Sequence, residues 1–178
     1  MDMTKMGPMA RKPTNEAKTR KDIEAFMKEE DALFAKKDYE AMLNRVDFPV
    51  FMLTDNLAGA PSARATSRED YLAEMKPLWE SAPANTTAKH KRTITVLSDS
   101  LANVVDDYDM TMGKQKMKGR NAFIVGRFGN QWKVKSMMEA GWGDMGASPS
   151  GAAAPAPAPA PPPAGKAPPP PPAPAPRK

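Results

Sequence analysis

The chain has 178 residues, 26% of them charged and 40% hydrophobic, with a mean hydropathy of −0.59, which allows one ordinary water-soluble domain around a single core. The absence of Cys excludes disulfides, thiolate metal sites and cysteine nucleophiles, and a single His excludes a His-rich zinc set. The net charge of +5 belongs to the ends. Three bases lie in residues 1–17 and three in 147–178, leaving 20 bases against 19 acids in 18–146 and no basic stripe for nucleic acid.

Residues 1–17 are polar and basic and read as a flexible segment. With no apolar h-region there, and no run near the roughly 18 apolar residues of a membrane span, no signal peptide or membrane contact is expected and the predicted location is cytoplasmic. Residues 18–145 carry the periodic patterns of a folded domain. From 146 to 178 the chain is almost entirely Ala, Pro, Gly and Ser and holds 14 of the 20 prolines, the composition of a disordered tail. Pro159 and Pro162 give it a PxxP spacing that could dock in an aromatic groove, but a solubilising spacer is the better reading.

Residues 21–36 place Ile23, Phe26, Met27, Glu30, Leu33 and Phe34 at helical spacing, with one acid interrupting the apolar face. Asp38 can cap a second short helix through Leu43. Phe48–Leu53 reads as a strand whose Pro49 demotes its start to a sheet edge, and 56–65 reads as a Gly/Pro/Ala loop. Ser67 with Asp70 resembles a capping box before a third helix bearing Tyr71, Leu72, Met75, Leu78 and Trp79, which Pro77 should kink or end. Four strands follow, at 87–98, 101–112, 118–128 and 131–142, joined by Asp99-Ser100, a connection at 113–117 and Gly129-Asn130. This order predicts an α+β domain with its helices on one side of an antiparallel meander.

The first helix followed by KKDYEAMLNRVDFPVFM (36–52), SREDYL (67–72), TITVLSDSLANVV (93–105) and GRNAFIVGRFGNQWKVKSMM (119–138) resembles the SnoaL-like bacterial branch of the nuclear transport factor 2-like superfamily over about residues 20–142. The resemblance implies a cone-shaped fold in which N-terminal helices pack on a curved, mostly antiparallel sheet. It also implies a homodimer, and a range of roles covering isomerases, dehydratases, cyclases, binding modules and adaptors. Ketosteroid isomerase-like members carry a general-base Asp near the position of Met52 here, where Asp55 comes three residues too late. Adaptor-type members often carry a His near Ser136 or Met138, and this chain has none there.

Simple two-residue turns would set the registers, and paired residues then share a face. Asp99-Ser100 would pair Leu97 with Ala102, Thr95 with Val104, Thr93 with Asp106 and Lys91 with Tyr108, and on the other face Arg92 with Asp107 and His90 with Asp109. Gly129-Asn130 would pair Val125 with Val134, Phe123 with Ser136 and Asn121 with Met138, with Arg120 opposite Glu139 outside. His90 then reads as an outward cross-strand partner rather than a catalytic base, and Ser136 has no base on its face. Asp106, Asp107 and Asp109 are separated by strand alternation and lack EF-hand spacing, so no metal site is expected, and no cofactor.

The remaining polar groups on the predicted concave face are Glu30, Asp106, Tyr108, Asn121 and Ser136, set among Phe26, Phe123, Trp132 and Met138. They form a candidate pocket for a small apolar or mixed-polarity molecule. Were the protein an enzyme, Asp106 or Glu30, neutralised by burial, would act as general acid/base and Tyr108 would hold the substrate oxygen. In this register Asp106 has only hydroxyl partners. A third reading is a dimeric interaction module with a Pro-rich tail.

Overall fold

The computed structural model describes residues 5–144, so the Ala/Pro segment predicted as a tail lies outside the described residues. A 3-10 turn at Gly7–Met9 precedes α1 (Glu16–Lys36), α2 (Tyr39–Asn44), β1 (Val46–Asp55), β2 (Pro61–Thr66), α3 (Arg68–Ser81), β3 (Thr87–Ser98), β4 (Leu101–Met112), β5 (Gln115–Phe128) and β6 (Gln131–Glu139). The six strands form one sheet in the order β2-β1-β6-β5-β4-β3, antiparallel except where β1 meets β6. The curved sheet and the N-terminal helix packed on it make the expected α+β cone.

Local chemistry accounts for the helix starts. Asn15 accepts from the Lys18 amide, Asp38 from Ala41 and Ser67 from Asp70, so each helix begins at a side-chain cap. α1 starts at Glu16, earlier than the pattern alone shows. Thr14 ties the preceding segment to the β3–β4 turn, donating from its backbone N–H and its hydroxyl to the Asp99 carboxylate, each at 2.8 Å.

Three local expectations are corrected. The segment read as a loop at 56–65 contains β2, which pairs with β1 from Val50↔Thr66 to Asp55↔Pro61. β1 is therefore an inner strand despite Pro49, which falls between the paired Val46 and Phe51 where the ladder shifts and needs no amide. α3 continues through Pro77 to Ser81. The pyrrolidine ring is exposed, and Trp79 beyond it is 5% exposed, so its burial offsets the lost bond.

Two bulges rewrite the strand faces. Ser98 pairs with Leu101, but Val96 pairs with Ala102, so Leu97 is the extra residue and β3 slips by one from there to Thr87↔Thr111. Ile94 and Val96 now point inward, while Thr93, Thr95 and Leu97 point out. In β6, Val134 pairs with Val125 but Ser136 pairs with Ile124, making Lys135 the extra residue. Beyond it Met137 and Glu139 face inward. A one-residue slip exchanges the faces of everything downstream.

The inner face then reads as parallel rows. Val96, Ala102, Val125 and Val134 form one, and Ile94, Val104, Phe123, Met137 and Met52 the next. Ile23, Phe26 and Met27 of α1 lie on these rows and, with Trp132, form the main core. A second cluster packs Leu43, Val46, Val50, Tyr71 and Trp79 under α2 and α3, with Tyr39 stacked on Trp79 at 4.9 Å.

Candidate functional site

The third inner row is polar: Arg92, Asp106, Asn121 and Glu139 are successive register partners on β3, β4, β5 and β6. α1 matches this change. One turn after Phe26 and Met27 come Glu30 and Asp31, so the helix turns acidic where the sheet turns polar.

Asp106, only 2% exposed, is the centre of the row. Its Oδ2 accepts from Arg92 Nε at 3.2 Å and lies 2.8 Å from His90 Nδ1, while its buried Oδ1 has no hydrogen-bond partner among the described residues. The expected setting of hydroxyls alone is corrected, because the Leu97 bulge replaces Thr93 with Arg92 opposite Asp106. His90 likewise faces inward opposite Tyr108 rather than outward beside Asp109. Arg92 also donates to both oxygens of Asp31, at 2.8 and 2.5 Å, closing a bridge between β3 and α1. Burial works against the Arg92 charge, but Asp31 and then Asp106 outweigh it and raise its pKa.

The row ends at Glu139, which accepts from the Tyr108 hydroxyl at 2.8 Å and has the Trp142 side chain beside it. Burial raises its pKa, and the Tyr108 hydroxyl and Trp142 only moderate the rise. Burial and the bond to Glu139 push Tyr108 up to about 12. Tyr108 reaches Glu139 by crossing β5 at Gly119, where an added Cβ would come within 2.3 Å of the phenol ring. Only glycine leaves that path open. An open groove of about 490 Å³ adjoins this pair, lined by Tyr108, Gly119, Glu139 and Trp142 with Lys118, Arg120, Ala140 and Gly141.

Glu30 lies at the second edge of the polar zone, its Oε1 against Arg45 Nε. The Arg45 guanidinium sits 4.4 Å over the Phe26 ring and donates to the Phe26 carbonyl at 2.9 Å. Burial lifts the Glu30 carboxyl to about 7 even against that cation. Glu30 and Glu139 both raise the pKa of the buried Tyr71 hydroxyl, whose burial is the larger cause.

The candidate residues therefore divide. Glu30, Asp106, Tyr108 and Asn121 share the polar zone, whereas Phe26, Phe123 and Trp132 fill the apolar core. Ser136 and Met138 are corrected to the outer face by the Lys135 bulge. The predicted Arg120–Glu139 pair is corrected as well, since Arg120 bonds Asp107 at 2.5 Å on the outside. Asp31, Arg45 and Trp142 were not among the candidates, and Arg92 and Glu139, expected on the outer face, lie on the inner one. The sequence signal for Glu139 was an acid following two methionines near a strand end, which becomes informative only once the bulge is known.

No family model matches this sequence, and no curated protein matches it. Solved structures do. A nuclear transport factor 2-like protein of unknown function from Shewanella oneidensis superposes with a TM-score of 0.57 at 18% identity, over 68% of this chain and 98% of its own. One from Pseudomonas putida gives 0.58 at 13% identity, over 71% and 87%. A putative scytalone dehydratase from Novosphingobium aromaticivorans gives 0.53 at 16%, over 67% and 80%. The chain has the nuclear transport factor 2-like fold.

Proposed function

We propose that this domain, of the SnoaL-like type, binds a small molecule of mixed polarity in the groove beside Tyr108 and Glu139, and does so as a homodimer. The observation that carries the binding reading is the Tyr108–Glu139–Trp142 cluster. It sets a tyrosine hydroxyl and a carboxyl whose burial favours the neutral acid against an open space with the Trp142 ring on its wall, a few polar groups placed in an otherwise accommodating pocket. Native mass spectrometry of the protein from its own source tests it, with a retained molecule expected in the wild type and lost in Trp142→Ala and Glu139→Gln. Retention in both folded variants would move the ligand elsewhere.

Acid–base catalysis is the second reading, favoured by the two half-buried carboxyls with raised pKa values, Glu30 and Glu139, beside tyrosine hydroxyls. In it Glu139 would give or take the proton while Tyr108 holds the substrate oxygen. Of the acids first expected in that role, Glu30 stays available near neutrality, whereas Asp106 is committed through Oδ2 to Arg92 and His90.

A further inference from the structure

The groove stops at Tyr108 and Glu139, but the polar row continues behind them to two groups that their surroundings leave incomplete. Asp106 Oδ1 and Asn121 Oδ1 are both buried without a hydrogen-bond partner among the described residues, and Asp106 and Asn121 are direct register partners on the inner face. Glu139, which borders the groove and holds the Tyr108 hydroxyl, is the next member of the row after Asn121. Buried acceptors are rarely left unpaired.

We propose that Asp106 Oδ1 and the Asn121 amide anchor the hydroxyl group of an uncharged alcohol that enters from the groove when Tyr108 swings off Glu139. This rests on the groove being the ligand site. The pair selects a hydroxyl because its one proton goes to Asp106 Oδ1 while its oxygen accepts from the Asn121 amide turned to present its N–H₂ group. A ligand carboxylate has no proton for Asp106 and would meet Asp31 and Asp106 as like charges. An ammonium could donate but would add a cation beside the Arg92 guanidinium that already faces Asp106. The tyrosine has room to move, since Gly119 puts no side chain under its ring and the open space lies on its groove side.

The test is an NMR titration of the full chain, following the Trp142 indole, with four probes sharing one ring: benzyl alcohol, benzyl methyl ether, benzylamine and benzoate. The alcohol is expected to bind about tenfold tighter than the ether or benzoate, the worth of one charge-assisted hydrogen bond. Asp106→Asn should abolish that preference but leaves Arg92 and His90 without their carboxylate. Asn121→Leu, which keeps both, is measured beside it and should bring the alcohol to within about threefold of the ether. Equal binding of alcohol and ether, or an amine that outbinds the alcohol, overturns the hydroxyl anchor while leaving the groove as the site. No shift of the Trp142 indole with any probe overturns both.

Discussion

At the scale of single residues, Gly119 and Glu30 make different demands on the site. A methyl group at 119 would meet the Tyr108 ring at 2.3 Å, so Gly119→Ala should expel the tyrosine from Glu139. Ultraviolet titration should then show the Tyr108 hydroxyl ionising well below its native value of about 12, and an unchanged titration would mean the ring reaches Glu139 by another path. Glu30 carries a sign that stability measurements can read. Its pKa rises from 4.5 unfolded to about 7 folded, so between these values the native state holds the extra proton. The stability from this group is complete below about pH 4.5 and is lost as pH rises through about 7. Glu30→Gln should flatten that part of the pH–stability profile. A slope unchanged from wild type would show that Arg45 keeps the carboxylate charged throughout. Trp132 is 9% exposed in the main core, and Trp132→Ala should cost about 3–5 kcal/mol in chemical denaturation.

At the scale of elements, the two bulges decide which side chains reach the site. The caps of α2 and α3 and the limits of β3 and β4 were legible locally, because a cap is a contact between residues three apart and a strand is an alternation. A bulge has no such local mark. Leu97 and Lys135 are displaced because the strands must bend around α1 and α3 while keeping Ile94, Val96, Val134 and Met137 on the core, and the extra residue lets the backbone do so. Deleting Lys135 should therefore leave a regular ladder with Ser136 still opposite Ile124 and Glu139 still facing inward. The Tyr108–Glu139 bond would be kept, and inter-strand nuclear Overhauser contacts along β6 that instead pair Met137 with Ile124 would show that Lys135 is not the extra residue. β2 was missed for a related reason: its six residues are Pro, Ser, Ala, Arg, Ala and Thr, a composition that only pairing with β1 makes a strand.

At the scale of the whole molecule, the outer sheet face is what the helices leave uncovered. Two of its rows cross all six strands, one through Ile124, Ser136 and Phe51, the other through Val105, Ala122, Met138 and Leu53. Phe51 is 47% exposed and Leu53 41%, an unusual load of large apolar groups on the middle of a sheet. The proposed homodimer would bury this face. Light scattering should give twice the chain mass for the wild type and the single mass for Leu53→Glu, with the monomeric mass in both excluding this interface.

The sequence by itself determined the α+β class, the element order apart from β2, the near-neutral domain and the concave location of Glu30, Asp106, Tyr108 and Asn121. Those properties follow from composition and short-range periodicity, which each segment carries alone. Only the tertiary structure decided that His90 and Arg92 meet Asp106, that Glu139 closes the polar row, and that Ser136 and Met138 lie outside. Those depend on register, and register is set by packing between strands and helices far apart in the chain: Arg92 meets Asp31 across 61 positions, and Tyr108 meets Glu139 across 31.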